Sequence, residues 1–215
     1  LVLGICLTAG IYFQKKYFNY FFVNGQSMYP TLNLHATNAK GVEYKELGPS
    51  VEKGSTHVDY GFYDCHETIV NNIQRFDIVI CKYFQQDPSD KIKRVVVLPG
   101  ETFYFGLGED NGKLYVADAN GKFQLVDQPS QIDISKGSYS DWGLNHDGTG
   151  HTLKKDEYFV LGDNRGHSSD SRVNGPIKKE NIEGKVIGLI GECEIDRKDS
   201  SYYPINISYY LPRFF

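Results

Sequence analysis

Short apolar runs, each closed by turn-forming residues, recur in the middle of the chain, and this pattern most limits what the chain can fold into. The runs TFYF, KLYVAD and KFQLV lie between residues 102 and 126, and GEDNGK and DANGK separate them. Asn-Gly at such a position is typical of the tight turn between two antiparallel strands. Aromatic residues make up 14% of the chain, and they favour strands over helices. We therefore predict an all-β fold.

The charge and the cysteines argue against several functions. A formal net charge of −4 gives no electrostatic reason to bind nucleic acid. The four cysteines stand far apart without a C-x-x-C pair, so we predict no metal site, and we expect no cofactor. Cys81 lies in an apolar run and is interpreted as a small buried hydrophobe. Cys65 and Cys193 are the remaining candidates for a disulfide, which the sequence does not decide.

The chain begins with LVLGICLTAGIYF, 13 residues without a charge. A helix that crosses a bilayer needs about 20 apolar residues. The run is therefore either the outer part of a truncated N-terminal transmembrane helix or a core segment, and because the sequence opens with Leu rather than Met we expect the truncated helix. A cleaved signal peptide is the rival interpretation, but the run continues without a linker into the next segment, which favours a retained anchor. Residues 17–23 are rich in aromatics, which suits a membrane interface or a first core strand.

A polar cluster, GDNRGHSSDSR, spans residues 162–172 and follows directly on the apolar run at residues 158–161. A strand that ends in such a cluster usually makes a loop or builds a site. By composition alone the cluster favours a solvated turn, because Gly, Asp, Asn and Ser are turn formers. Other stretches of the chain change that interpretation.

Three stretches, taken together, resemble the sequence boxes of bacterial type I signal peptidases (leader peptidases). They are GQSMYPTL at residues 25–32, KIKRVVVLPGE at residues 91–101 and YFVLGDNRGHSSDSR at residues 158–172. RFDIVICKY, residues 75–83, resembles a further strand box of the family. Three long boxes in the family's order are far more specific than one short motif.

The resemblance implies a signal-peptidase-type Ser/Lys protease fold of antiparallel, partly barrel-like sheets. Residues 1–22 are the expected membrane anchor and aromatic interface segment. The catalytic core is expected in two parts, residues 23–101, with an insertion at 33–74, and residues 152–194. Residues 102–151 form an inserted β-region, in which we expect no chemistry, and residues 195–215 form a C-terminal tail.

The implied activity is that of a membrane-bound serine endopeptidase, which removes N-terminal signal peptides from exported preproteins after small residues of the Ala-X-Ala type. The expected partners are preprotein signal peptides and the lipid bilayer, without nucleic acid. The expected form is a monomer that crosses the cell membrane once, with its catalytic domain on the extracytoplasmic side.

The resemblance assigns Ser27 as nucleophile and Lys93 as general base. A free lysine has a pKa of about 10.4 and is protonated at neutral pH. Lowering that pKa by about 2 to 4 units requires that the ammonium be disfavoured by roughly 3 to 5 kcal/mol, which apolar burial can supply. Strand alternation places Lys93 on one face with Val95 and Val97, an apolar setting. The alternative is an exposed strand lysine like Lys91.

Further residues match supporting positions of the family. Ser168 is expected to orient the lysine amine by a hydrogen bond. Asp163 with Arg94, and Asp170 with Arg172, are expected to form ion pairs that hold the polar loop against the site, and removal of one partner would leave an uncompensated charge.

The match departs from the family in two places. Gly25 stands where some members have a serine that helps to hold the oxyanion, so the backbone N–H of Ser27 or a neighbouring group must do more of that work. This form resembles the Gram-positive branch. Val97 and Glu101 replace the Gly and Asp of the commoner GLPGD. Lys93, where the endoplasmic-reticulum type has histidine, favours the prokaryotic type.

Three other functions compete with this one. A self-cleaving regulator that resembles LexA-type repressors would share the Ser/Lys chemistry, but a DNA-binding helical domain is not evident. A mitochondrial inner-membrane-type processing peptidase fits the long middle insertion less well. A catalytically dead scaffold would need the loss of Ser27, Lys93 or Ser168, and all three are present.

Overall fold

The computed structural model describes residues 17–37, 43, 57–82, 89–198 and 201–215. The predicted transmembrane helix lies in residues 1–16, outside these ranges, as does most of the first half of the predicted insertion at 33–74. Within the described ranges, no helical segment has the length and the apolar character that a bilayer-crossing helix needs.

Strands dominate the chain, which confirms the predicted all-β class. The strands are β1 (Phe18–Phe22), β2 (Val58–Asp64), β3 (Ile78–Cys81), β4 (Lys91–Val97), β5 (Thr102–Phe105), β6 (Leu114–Ala117), β7 (Phe123–Val126), β8 (His151–Thr152), β9 (Glu157–Leu161), β10 (Ile177–Lys178), β11 (Ile182–Lys198) and β12 (Ser201–Phe214). The helices are α1 (Glu67–Val70) and α2 (Ser171–Asn174), with short 3₁₀ turns at Gly108–Asp110, Ile134–Lys136, Ser140–Trp142 and Lys179–Asn181.

The strands form two antiparallel sheets. The larger sheet has the order β1-β2-β11-β3-β4-β9-β10, and β12 pairs with β11. The smaller sheet has the order β7-β6-β5-β8. The long β11 pairs with β2, β3 and β12, and its register shifts in each of these pairings. Because such bulges bend a strand and increase its twist, the larger sheet curls into the predicted partly barrel-like form.

Strand β4 lies between β3 and β9 in the larger sheet, and every residue from Lys93 to Val97 is buried. The register shifts between Val95 and Val97 where β4 pairs with β9. As a result Val96 and Val97 pack in one core cluster with Phe159, whereas Val95 packs in another. The predicted alternation, which put Val97 on the same face as Lys93, is therefore wrong at Val97, because a bulge breaks the two-residue period.

Three segments whose place in the fold the sequence left open form strands of the larger sheet. Residues 18–22, expected at a membrane interface or in a core strand, form β1 and pair along their whole length with β2. Strand β2 comes from the predicted insertion at 33–74 and lies between β1 and β11 in the larger sheet. The expected tail is largely the 14-residue strand β12, which pairs with β11.

The smaller sheet belongs to the predicted inserted region and shares a core with the larger one. Phe103, Phe105 and Tyr139 from residues 102–151 pack in one buried cluster with Phe159 and Leu161 of β9. Strand β9 leads directly into the polar loop at residues 162–172. The shared core therefore holds this loop against both sheets.

Candidate active site

Ser27 and Lys93 lie in hydrogen-bond contact, although 66 residues separate them in the chain. Lys93 Nζ is 3.0 Å from Ser27 Oγ and also donates to the carbonyl oxygen of Ile92 at 2.9 Å. Lys93 is carried by β4, and Ser27 lies in the turn that follows β1. The pairing of a hydroxyl with an amine is the arrangement that a nucleophile and its general base require.

The Lys93 side chain is withdrawn from water, with 3% of the residue exposed. This burial lowers the pKa of the Lys93 ammonium, and the positive charge of Lys91 acts in the same direction. The thiol of Cys81 and the carboxylates of Asp170 and Asp163 oppose the shift. Desolvation is the largest of these effects, so the neutral amine is favoured at a lower pH than in a free lysine.

The segment that leads to Ser27 is held by Asn33 and Asp59, two buried residues outside the matched boxes. The Asn33 side-chain amide donates to the carbonyl oxygens of Val23 and Gly25, both at 2.8 Å. Its oxygen accepts from the Asp59 N–H at 2.8 Å, and the Asp59 carboxylate accepts from the Asn33 N–H at 2.7 Å. Asn33 has a φ of 60°, a left-handed conformation that asparagine tolerates better than most residues. The sequence offered no signal for this pair.

Residues 162–172, which we call the active-site loop, contact the turn at residues 25–31 that contains Ser27, which we call the serine turn. The Asn164 N–H donates to the Ser27 carbonyl oxygen at 2.9 Å, and the Asn164 side chain donates to the Gln26 carbonyl oxygen at 3.2 Å. A Cβ atom on Gly162 would overlap the Ser168 hydroxyl and lie 2.5 Å from the Ser27 carbonyl oxygen. Glycine is therefore required at residue 162 for this close approach.

The structure brings together both ion pairs that the resemblance implied. Arg94 binds Asp163 through two hydrogen bonds of 2.8 and 2.6 Å, and Thr31 Oγ1 also donates to this carboxylate. Arg172 binds Asp170 through two bonds of 2.8 Å. All four ion-pair side chains are at most 8% exposed, so each pair compensates charges that water does not reach.

Asp170 also joins different residues of the active-site loop to one another. Its carboxylate accepts from the Gly162 N–H at 3.0 Å, and it caps helix α2 by accepting from the Arg172 N–H. The neighbouring Ser171 hydroxyl accepts from the Val160 N–H at 3.0 Å. The polar cluster that resembled a solvated turn is thus a folded loop whose charged side chains point into the protein.

Ser168 differs from the expectation. Its hydroxyl is buried and has no hydrogen-bond partner among the residues that the structure describes, so the expected bond to the Lys93 amine is not formed. The two bonds that Lys93 Nζ makes go to Ser27 and to the carbonyl oxygen of Ile92 instead. Ser168 lies against Gly162, next to the serine turn.

The serine turn leaves a backbone donor available. In the described part of the chain the N–H of Ser27 donates no hydrogen bond. Gly25, two residues earlier, has a φ of 118°, which residues with a side chain rarely adopt. A free N–H next to a nucleophilic hydroxyl is the type of group that stabilises an oxyanion.

A cleft of about 590 Å³ opens beside Ser27 and Lys93, between the end of β1 and the start of β4. Ser27 and Lys93 both line it. Its apolar wall comes mainly from the side chains of Tyr20, Phe21, Val23, Tyr63, Ile80 and Ile92. The cleft can therefore take an extended apolar or small-residue peptide next to the hydroxyl.

The described residues contain no group of three or more His, Cys, Asp and Glu side chains that could hold a metal ion. Cys65, Cys81 and Cys193 are free thiols, so the candidate pair Cys65 and Cys193 is not joined. Cys81 is completely buried, and burial raises the pKa of its thiol to about 12. Burial also raises the pKa of the Cys65 and Cys193 thiols, so none of the three is an activated nucleophile.

Several known proteins are similar to this chain. Residues 1–190 match the family model described as signal peptidase, peptidase S26. Signal peptidase I V of Bacillus subtilis (strain 168) is 36% identical over 176 residues, which cover 76% of this chain and 91% of that protein. Signal peptidase I of Bacillus caldolyticus is 36% identical over 163 residues, covering 73% of this chain and 80% of the relative. A crystal structure of a signal peptidase I from Enterococcus faecalis V583, 29% identical, covers 53% of this chain and 96% of its own with a TM-score of 0.38.

Proposed function

The chain belongs to the peptidase S26 family of signal peptidases, and from that premise we propose that Ser27 and Lys93 are the dyad with which it removes signal peptides from exported preproteins. The resemblance of the three boxes to bacterial type I signal peptidases is confirmed, and the enzyme is a hydrolase. The self-cleaving regulator and the mitochondrial enzyme are not favoured, because the relatives are signal peptidases I of bacteria.

One observation carries the assignment of roles: a buried amine lies 3.0 Å from a serine hydroxyl at the edge of an apolar cleft. The neutral Lys93 amine takes the hydroxyl proton while Ser27 Oγ attacks the scissile carbonyl carbon. A new C–O bond forms, and the carbonyl electron pair moves to the oxygen. When this intermediate collapses the C–N bond breaks, and the Lys93 ammonium returns its proton to the leaving amine of the mature protein.

The second half of the reaction reuses the same base. Lys93 is neutral again after it has protonated the leaving group, so it can take a proton from a water molecule that attacks the acyl carbon. The ester bond to Ser27 Oγ breaks, and the serine recovers its proton from the lysine. The signal peptide leaves as a carboxylic acid, and the enzyme returns to its starting state.

The negative charge that develops on the substrate carbonyl oxygen must be stabilised by hydrogen-bond donors. The backbone N–H of Ser27 is the candidate, because it donates no other hydrogen bond in the described part of the chain. The Gly25 region shapes this turn through a φ that other residues rarely adopt. Removal of one such donor typically costs about 100- to 1,000-fold in kcat.

The surrounding residues support the dyad. Arg94 with Asp163 and Arg172 with Asp170 fix the active-site loop, and the arginines also offset two carboxylates that would raise the pKa of Lys93. We assign Ser168 a supporting role in the site, because its buried hydroxyl has no partner in the described ranges and lies against Gly162, next to the serine turn.

An aromatic surface indicates where the enzyme works. Tyr20 of β1 stacks on Tyr60 of β2, which meets Tyr209 of β12 edge to face. On the same strand Leu211 is 91% exposed and Phe214 is 66% exposed. Exposed apolar patches of this kind suit a membrane interface. We infer that this face rests on the outer surface of the cell membrane, with a monomeric catalytic domain on the extracytoplasmic side.

The test is cleavage of a synthetic signal peptide with an Ala-X-Ala site, with the products identified by mass spectrometry. The native chain is expected to cut after the second alanine. Ser27→Ala and Lys93→Met are each expected to abolish cleavage while circular dichroism remains unchanged. Lys113→Met, at a partly exposed lysine of the inserted region, is the matched control and should retain full activity. Robust cleavage by either dyad variant would refute the proposal.

A further inference from the structure

The inserted region at residues 102–151 reaches the active-site loop through polar side chains, although we expected no chemistry from it. The Gln128 side-chain oxygen accepts from Arg165 Nη1 at 2.8 Å, and the Tyr139 hydroxyl accepts from the same nitrogen at 3.2 Å. Trp142 Nε1 donates to the Arg172 carbonyl oxygen at 3.0 Å. The loop is therefore held from the smaller sheet as well as from the larger one.

Arg165 receives two of these contacts, and its positive charge is buried without a counter-charge in the part of the chain that the structure describes. It is 2% exposed, and within the described ranges no carboxylate lies at ion-pair distance from it, whereas Arg94 and Arg172 each bind one. Its Nη2 atom also has no hydrogen-bond partner there. A buried cation without a counter-charge is unfavourable unless dipoles compensate it. The side chains of Gln128 and Tyr139 supply that compensation.

The Tyr139 hydroxyl is itself fixed in place. The residue is 1% exposed, and its ring packs on Phe105 with ring centroids 4.7 Å apart. The Arg172 guanidinium lies over the same ring at 5.3 Å, and the hydroxyl donates to the Ile134 carbonyl oxygen at 3.1 Å. Because the hydroxyl donates its one proton to the Ile134 carbonyl oxygen, its oxygen can only accept a hydrogen bond from Arg165. This fixes the position of the Arg165 guanidinium.

A short path leads from Arg165 to the nucleophile. Arg165 Nε donates to the Gly162 carbonyl oxygen at 3.1 Å, which closes the start of the loop. The adjacent residue, Asn164, donates its N–H to the Ser27 carbonyl oxygen at 2.9 Å. A displaced Arg165 would therefore weaken the bond that holds the Ser27 backbone, and with it the approach of Ser27 Oγ to Lys93.

We propose that Tyr139 and Gln128 are positioning residues for the active-site loop, which act through Arg165 on the contact between Asn164 and Ser27. The proposal rests on the proposed function of the dyad. Because a misplacement of about 1 Å in a reacting group can cost about 100-fold, the smaller shift expected from one lost hydroxyl should lower kcat about tenfold. KM should stay nearly unchanged, since the cleft is lined by the end of β1 and the start of β4 rather than by this region.

The experiment compares Tyr139→Phe with Tyr115→Phe in the full chain. Tyr115 belongs to the same inserted sheet, but its hydroxyl donates to Asp110 at 3.4 Å, away from the active-site loop. Steady-state cleavage of an Ala-X-Ala peptide should show the fall in kcat for Tyr139→Phe alone. Equal kcat values for the two variants, or a change confined to KM, would overturn the proposal.

A second measurement needs no substrate. Hydrogen exchange at the Asn164 amide, followed by NMR, should be faster in Tyr139→Phe than in the native chain and unchanged in Tyr115→Phe. Gln128→Ala should also speed this exchange. Because Gln128 is half-buried and tolerates truncation better, this variant tests the proposal if Tyr139→Phe does not fold. If the Asn164 amide exchanges in Tyr139→Phe and in Gln128→Ala at the same rate as in the native chain, the proposal is wrong. A native chain that cleaves no signal peptide would instead overturn the proposed function.

Discussion

Gly162 and Ser168 approach each other so closely that a methyl group on Gly162 would occupy the position of the Ser168 hydroxyl. The same methyl group would lie 2.5 Å from the Ser27 carbonyl oxygen. The strand end, the active-site loop and the serine turn thus meet next to Ser27, at a point where only glycine fits.

Gly162→Ala should therefore displace the serine turn from Lys93. We expect kcat for a signal-peptide substrate to fall about 100-fold, because a shift of about 1 Å in a reacting group is enough for that loss. Gly166→Ala is the control in the same loop, since a Cβ there would meet Lys136 only at ordinary contact distance. Activity within twofold of the native enzyme in Gly162→Ala would show that the close approach does not govern the site.

The rate of cleavage should depend on pH through Lys93. Burial lowers the pKa of its ammonium from the ordinary value of 10.5, and the base works only when neutral. We expect kcat/KM to rise with pH and to reach half its plateau well below pH 10.5. A rate profile measured with a peptide that has no titrating groups in this range checks this, and a midpoint at or above 10.5 would contradict it.

Lys93 should also make stability depend on pH. Because its pKa is lower in the folded than in the unfolded chain, the unfolded chain binds more protons between the two values, and stability rises with pH across that window. Lys93→Met removes the free-energy cost of burying an amine that is protonated in the unfolded chain. The variant should therefore melt at a higher temperature than the native enzyme at neutral pH, and the difference should shrink as the pH approaches 10.5. Calorimetric melting curves of both proteins across this range would test it, and a variant less stable at every pH would count against the buried amine.

The pair of Arg94 and Asp163 should contribute to folding through compensation of charge. Arg94→Met leaves a carboxylate that is 0% exposed without its counter-charge, and we expect a loss of about 3 to 5 kcal/mol in the free energy of unfolding. Urea denaturation measures this. Lys178→Met breaks an exposed pair with Glu180 and should leave the urea midpoint almost unchanged.

The double variant Arg94→Met with Asp163→Leu distinguishes compensation from direct attraction. Because it removes both charges, it should recover much of the stability that Arg94→Met loses. Equal destabilisation of the single and double variants would mean that packing around Arg94, rather than its charge, is what the fold requires.

The family, the all-β class and the two residues that we propose as the dyad could all be predicted from the amino-acid sequence. Ser27, Lys93 and the residues of both ion pairs lie inside boxes whose order and spacing identify them, and short apolar runs between turn formers identify the strands. The expectation for Ser168 came from the same boxes, but the direction of one hydroxyl depends on neighbours that a motif does not specify.

How Ser27 and Lys93 are buried and supported could be seen only in the folded protein. Asn33 with Asp59, and Tyr139 with Arg165, are joined by hydrogen bonds across 26 residues of chain in each case, and no local pattern distinguishes their side chains from ordinary polar ones. The bulge at Val97 likewise depends on the pairing of β4 with β9. Periodicity and motifs report local geometry, whereas the burial of an amine and the position of a hydroxyl depend on how distant strands come into register.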